Sequence, residues 1–410
     1  MSTNAWLDGR FLLQGGSADN TENKLTMQID DAAARLYISL PLFDEMELGQ
    51  RVHLSCLLTP TVDGGYGYAL LMLTDDTDTE IDAAFPAGKP SRIHVEGDLV
   101  MHEGKKAVSV GLCNYTGELL LEELSADTDT VGDKALLGGA SLTQFENYKG
   151  LMMAYAMQSD EGHLIMIDGG KVINAEMIYE FIKENGSVVD AWLLTHYHDD
   201  HITALTEILN TKTDIRIKDL YFNFPTDQEH IDKYGDSDNH CIPDLWEAIR
   251  KSHMVENIHV AHKGVSFTLG NLTVKVINEA HLKGEYDYVN NSSVVYKVIT
   301  PGESVLFFGD MASYCSTLIK EDPEFLSEMR TCTIVQMGHH GQGGVRDDVY
   351  RSFDNIRICL YPAARWLFDV DAGVGIYGKD RYHTLHTREL MRELNIRRSY
   401  PTKHGRVILK

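Results

Sequence analysis

Apolar and polar positions alternate over much of the first third of the chain. Leu36-Tyr37-Ile38-Ser39-Leu40, Arg51-Val52-His53-Leu54-Ser55-Cys56-Leu57-Leu58, Tyr68-Ala69-Leu70-Leu71-Met72-Leu73 and Arg92-Ile93-His94-Val95-Glu96-Gly97 read as short strands. Turn signals at Asp63-Gly64-Gly65 and Glu103-Gly104 separate them at intervals suited to a small barrel or sandwich. An acidic, glycine-containing stretch from Thr128 to Gly139 marks a boundary. The expected domains are a β-rich unit over residues 1–135 and a second unit over residues 136–410.

From about Leu142 the period changes and strands alternate with helices. Asn174 can cap a helix that buries Ile178, Phe181 and Ile182 and ends at Gly186. Later strands are expected at Leu272 to Ile277, Ser293 to Ile299, Val305 to Gly309, Thr331 to Met337 and Ile356 to Tyr361. A helix from about Arg388 to Leu394 leads to a short strand at Val407 to Leu409. The stretch from Phe222 to Asn257, with Tyr234, His240 and Trp246, forms an insertion that can serve as a wall or lid. Periodicity alone makes this second unit α/β.

Composition adds class. With 43% hydrophobic and 24% charged residues, the 410-residue chain is an ordinary globule that can bury a large core. No apolar run approaches the roughly 18 residues of a membrane span, and the polar N-terminus lacks a signal-peptide pattern. Cys56, Cys113, Cys241, Cys315, Cys332 and Cys359 are scattered without C-x-x-C pairs, which suits thiols in a reducing cytoplasm. The net charge of −24, from 37 Lys and Arg against 61 Asp and Glu, disfavours a long nucleic acid and favours a small substrate. In the N-terminal part, a long hairpin, an acidic turn and a Val-x-Gly strand are similar to an OB-fold. Its runs Asp75-Asp76-Thr77-Asp78-Thr79-Glu80 and Asp127-Thr128-Asp129 suit a solvated module or homo-oligomer contact better than a strand-binding groove.

The chemistry concentrates in Thr195-His196-Tyr197-His198-Asp199-Asp200-His201. Val188 to Leu194 upstream reads as a buried strand; Ile202, Leu205, Ile208 and Leu209 downstream recur at helical spacing. The donors therefore sit where a strand gives way to a helix, a usual binding place in open α/β sheets. His196 and His198 can hold one cation, and Asp200 and His201 a second beside it. Imidazole and carboxylate suit zinc, with manganese or iron also fitting.

This H-x-H-x-D-H pattern is preceded by Ile167-Asp168-Gly169-Gly170 and followed by Phe308-Gly309-Asp310 and Gly338-His339-His340-Gly341. Together they resemble the metallo-β-lactamase superfamily, from about Tyr148 to Lys410. Within it, Asn290-Asn291-Ser292-Ser293-Val294-Val295, Leu306 to Asp310 and His339-His340-Gly341 are most similar to the hydrolase domain of the ComEC-type DNA-uptake protein and to phosphorylcholine esterases. The resemblance implies an αββα sandwich and a two-metal hydrolase acting on a phosphodiester in nucleic acid, an oligonucleotide or a cyclic nucleotide; the cytoplasmic location is expected from the scattered thiols and the lack of a membrane span. It implies a first metal on His196, His198 and Asp310 and a second on Asp200, His201, Asp310 and His340. Two cations about 3.5–4 Å apart can lower the pKa of a shared water to about 7 and so supply hydroxide. Asp200 and His339 are the candidate catalytic groups; His339 either binds a phosphate oxygen or protonates the leaving group. Asp168 is expected to orient a ligand histidine rather than to bind metal.

The third motif departs from the family. Where zinc β-lactamases and glyoxalase-like thioesterases carry G-H-T-x-G-H, this chain has Asn290-Asn291-Ser292-Ser293. Asn291 substitutes, or His281 or His262 reaches in from elsewhere. After H-H-G the family's serines are replaced by Gln342-Gly343-Gly344, whose N–H groups can face an anion. Arg365, Lys379 and Arg381 are candidates for substrate phosphate, with ordinary salt bridging the equal alternative. His383, His386 and His404 receive no role. The alternatives are a lactone, lactam or thioester hydrolase of the same fold, and a non-catalytic binding protein stabilised by its metals.

Overall fold

The computed structural model describes residues 3–4, 11–14, 16–21, 24–30, 33–38, 51–60, 67–73, 81–85, 93–100, 108–113, 116–128, 136–147, 150–368, 382–394, 396, 398–402 and 406–410. The chain divides into two compact units. One comprises Met1–Asp133, Asp369–Glu389 and Arg397–Tyr400; the other comprises Lys134–Phe368, Leu390–Ile396 and Pro401–Lys410.

The described part of the N-terminal region is all β. One antiparallel sheet runs in the order Gly16–Thr21, Lys24–Ile29, Gly117–Thr128, Arg51–Pro60, Ile93–Val100, with Thr3–Asn4 also on Gly117–Thr128. The other runs Phe11–Gln14, Ala33–Ile38, Val108–Cys113, Gly67–Leu73, Ile81–Phe85. An OB-type barrel has about five strands, a smaller object than these two sheets. Period-2 patterning explains the burial: Leu25, Met27 and Ile29 point inward and pair with Leu121, Leu119 and Gly117, while Lys24 and Gln28 face out. The acidic run of residues 75–80 lies outside the described residues.

The larger unit carries the αββα core. Its first sheet has the order Val255–Val260, Arg216–Phe222, Val188–Leu193, Leu164–Asp168, Ala154–Gln158, Ser141–Gln144, Val407–Leu409. The strands Leu164–Asp168, Val188–Leu193, Arg216–Phe222 and Val255–Val260 are parallel. Helices Ala175–Glu184, Asp199–Thr211 and Cys241–Ser252 bury Ile178, Ile182, Leu205, Ile208 and Leu245 in a core with Trp192 and Leu220 of the sheet. The second sheet continues Ser266–Leu269, Leu272–Val276, Tyr296–Ile299, Ser304–Phe307, Ile334–Gln336, Ile358–Tyr361, the last three parallel.

The two sheets meet through aromatic side chains. The Tyr155 and Phe307 rings lie 5.1 Å apart, and the Tyr296 hydroxyl donates to Leu194 O at 2.9 Å. Helix Pro323–Arg330 covers the second sheet with Phe325 and Met329, and Lys297, buried on the strand beneath, donates to the Glu328 carboxylate at 2.9 Å. Two local expectations change. Asn174 precedes its helix but leaves it uncapped, because its side chain accepts the Lys171 N–H at 3.0 Å. The strand expected from Ser293 begins at Tyr296; just before it, Val294 N donates to Thr195 O at 2.9 Å and ties this segment to the histidine loop. Among the described residues no helix is long and apolar enough to cross a membrane.

Candidate metal centre

Four strand ends deliver the site. Asp168 closes Leu164–Asp168; His196 and His198 follow Val188–Leu193; Asp310 follows Ser304–Phe307; His339 and His340 follow Ile334–Gln336. Asp200 and His201 lie in the first turn of helix Asp199–Thr211. Asp168, His339 and His340 hold positive φ values of 51°, 50° and 57°, a conformation few non-glycine residues adopt unless their surroundings impose it. Gly170, with φ +85°, lets the turn after Asp168 close: a Cβ there would stand 2.7 Å from Met152 Cγ.

The histidine loop is anchored from behind. The buried Asp168 carboxylate accepts from Thr195 N at 2.8 Å, Thr195 Oγ1 at 2.7 Å and His201 Nδ1 at 2.7 Å. Thr195 Oγ1 also lies 3.1 Å from His196 Nδ1, so one carboxylate reaches two imidazoles. His340 Nδ1 donates to Pro362 O at 2.7 Å. Trp192 Nε1 donates to Asp168 O at 3.0 Å and locks the turn onto the core.

These anchors hold the outward nitrogens and leave the opposite ones facing inward. His196 Nε2 lies 3.0 Å from His198 Nδ1. His201 Nε2 is 3.3 Å from Asp310 Oδ2, and His340 Nε2 is 3.2 Å from the same oxygen and 3.0 Å from Asp200 Oδ2. Despite this crowding, Asp200 Oδ2, His201 Nε2, Asp310 Oδ1 and His340 Nε2 are buried without a hydrogen-bond partner in acceptable geometry. Buried polar atoms seldom stay unpaired, and divalent cations fit this donor set. His196, His198 and Asp310 form one candidate cluster, and Asp200, His201 and His340 another. Asp310 touches both.

Charge in the bare protein has the same logic. Burial opposes a charge on His201, yet Asp310, Asp168 and Asp200 outweigh it and hold its pKa well above the ordinary value. Burial also opposes His340, which Asp310 and Asp200 carry up to about 10. Against burial, His340 and His201 pull the Asp310 carboxyl well below the usual range. Protons on these rings thus stand in for part of the positive charge that cations would bring.

The sequence matches the family profile of the metallo-beta-lactamase superfamily over residues 153–402. The chain belongs to the metallo-beta-lactamase superfamily. The His/Asp clusters among its described residues, with that fold, make it a metal-dependent hydrolase of the superfamily. Among similar solved structures, a diphosphatase of the PhnP family is 15% identical over 66% of this chain and 97% of that one, with TM-score 0.40. Unliganded yeast PDE1 is 11% identical over 66% and 99%, with TM-score 0.41. Zn(2+)-bound PqqB from Methylobacterium extorquens is 10% identical over 66% and 99%, with TM-score 0.39. Such values say nothing of substrate. No curated protein matches the chain.

Other expected site residues fare differently in this metallo-beta-lactamase-fold unit. Both ends of the Asn291 amide are engaged by backbone: Nδ2 donates to Tyr286 O at 2.8 Å and Oδ1 accepts from Cys315 N at 2.9 Å. Among the described residues neither His281 nor His262 joins a metal-capable cluster. After His340, the N–H groups of Gly341, Gln342 and Gly344 donate to the Gly338, His339 and Gln342 carbonyls. Arg365 begins a short helix, Arg365–Phe368, with its side chain outside the described residues, as are Lys379 and Arg381.

Sequence reading missed Thr195 and two acids of the insertion. Asp236 Oδ2 accepts from His198 Nε2 at 2.8 Å, and Asp238 Oδ2 accepts from Asp199 N at 3.0 Å. The acidic Gly235-Asp236-Ser237-Asp238 stretch was the available signal; nothing in it indicates a partner 38 residues away.

Proposed function

We propose that the protein is a two-metal phosphodiesterase acting on a small, anionic diester such as a cyclic nucleotide or short oligonucleotide. The observation that carries this reading is Asp310, a buried carboxylate in contact range of both donor clusters. A carboxylate shared in this way suits two neighbouring cations, zinc or alternatively manganese, bound by His196, His198 and Asp310 on one side and Asp200, His201, Asp310 and His340 on the other. Such a pair, when bound, would supply a Lewis-acid clamp for in-line displacement and an acidified water. Asp200 and Asp310 hold negative charge in a buried site, and the imidazoles divide between the two donor clusters.

His339 is the candidate group for the substrate. It is partly buried beside the cluster, and burial lowers its pKa. It is therefore neutral near pH 7, which favours donating a hydrogen bond to a phosphate oxygen over protonating the leaving group. The likeness of the Asn290–Val295, Leu306–Asp310 and His339–Gly341 segments to ComEC-type hydrolase domains supports a phosphorus centre. Loss of G-H-T-x-G-H counts against lactams and thioesters, and the charge of −24 supports a small substrate over long nucleic acid. A cytoplasmic location, and self-association through the N-terminal β unit, complete the proposal.

The test is hydrolysis of bis(p-nitrophenyl) phosphate by protein loaded with zinc or manganese, beside His198→Ala and beside a lactam and a thioester. Metal-dependent diester turnover that vanishes in the variant supports the reading. Cleavage of the lactam or thioester with an inert diester rejects it. A protein that loses its fold on chelation and cleaves nothing would be a metal-stabilised binding protein.

A further inference from the structure

Each ligand-bearing histidine has its outward nitrogen anchored, but not by the same part of the molecule. Thr195 Oγ1 serves His196, Asp168 serves His201 and Pro362 O serves His340. His198 alone among them depends on the insertion between the strands Arg216–Phe222 and Val255–Val260, where Asp236 caps the short 3-10 helix Ser237–His240. We propose that Asp236 is a positioning residue for the first metal, fixing the His198 ring with the proton on Nε2 so that the Nδ1 lone pair faces His196 Nε2. The inference rests on the metal-centre reading and is independent of which substrate is cleaved.

Several observations make the insertion a clamp on the histidine loop. Asp236 is itself held, its second oxygen accepting from Asp238 N at 2.9 Å and its N–H donating to Asn239 Oδ1 at 3.2 Å. Two residues on, Asp238 takes the Asp199 N–H at the start of the helix that carries Asp200 and His201, a favourable place for a carboxylate. The same short segment thus grips the ring of His198 and the backbone beside it. Asp236 remains 46% exposed, and a hydrogen-bonded pair of that exposure contributes little to folding. Its consequence therefore falls on ring orientation rather than on stability. Orientation matters more here than elsewhere in the site, because Asn291 is engaged by backbone at the place of the family's third-motif histidine. The first cluster then depends on His196, His198 and Asp310. Releasing one ring leaves two fixed donors.

The experiment is a competitive zinc titration of the full chain, comparing wild type with Asp236→Ala and Asp236→Asn, together with nitrogen NMR of the histidine tautomers in the metal-free protein. Loss of an outer carboxylate from a ligand histidine typically weakens binding roughly 10- to 100-fold. The expected result is such a loss for one of two zinc equivalents in Asp236→Ala, the other staying within about threefold, with His198 populating both tautomers. Asp236→Asn keeps an oxygen acceptor and should recover most of the tautomer preference and part of the affinity. It also serves if the alanine variant folds poorly. Two equivalents bound as in wild type, with an unchanged His198 tautomer, would overturn the proposal alone. A wild-type chain that binds no zinc would overturn the metal-centre reading and this inference with it.

Discussion

Replacing Asp168 by Asn separates a turn-forming role from a site-building one. At φ 51° either residue tolerates the left-handed backbone, so a mere turn former would accept the change silently. The hydrogen bonds say otherwise. Asn keeps one oxygen for Thr195 N, but its amide N–H groups would face Thr195 Oγ1 and His201 Nδ1, where the carboxylate accepts at 2.7 Å from each. The threonine hydroxyl can rotate and accept. The His201 ring cannot accept while Nδ1 carries a proton, and Nδ1 has to keep that proton if Nε2, which faces Asp310, is to be the nitrogen free for a metal. One buried, unsatisfied donor costs about 1–3 kcal/mol, and a lost outer carboxylate costs roughly 10- to 100-fold in metal affinity. Denaturant unfolding of the chelated protein should therefore show a loss of about 1–3 kcal/mol, and a competitive metal titration should show the second site weakened. An unchanged unfolding midpoint with both metals bound within about twofold would refute the reasoning.

Other consequences can be checked independently. Gly309→Ala should destabilise the protein by more than about 1 kcal/mol and weaken metal binding, because at φ +61° its new Cβ would stand 2.8 Å from Thr195 Cβ, the anchor of His196; calorimetric melting and metal analysis would show it. Chelated protein should lose stability as pH rises: His340 is raised to about 10 in the fold against about 6.5 unfolded, so its contribution is complete below the lower value and fades through the upper, each tenfold gain in proton affinity being worth about 1.4 kcal/mol. Metal requires neutral rings, so apparent metal affinity should instead rise with pH and binding should release protons, measurable by calorimetry in buffers of different ionisation enthalpy. His339→Ala should lower kcat/KM for p-nitrophenyl and alkyl diesters alike, with metal binding intact; a loss confined to the alkyl ester would show that His339 acts as the leaving-group acid.

The sequence by itself determined the order of strands and helices and most of the donor set. Period-2 and period-3.6 burial are local properties, which is why Arg51–Pro60, Gly67–Leu73 and Val188–Leu193 lie within a few residues of where patterning puts them. His196, His198, Asp200 and His201 were legible because a loop between a strand and a helix brings contiguous residues to one point. Asp310 and His340 were legible through family likeness, each at the end of an apolar strand. Only the tertiary structure decided what stands behind these donor side chains. Asp236 meets His198 across 38 positions and Pro362 O meets His340 across 22, and the latter is a carbonyl every residue type possesses. The same holds for Asn291, whose amide composition permits as a ligand and whose neighbours engage it elsewhere. Such pairings depend on how loops from separate strands pack. They arise from long-range contacts whose partners leave no periodic or spacing signal in the chain.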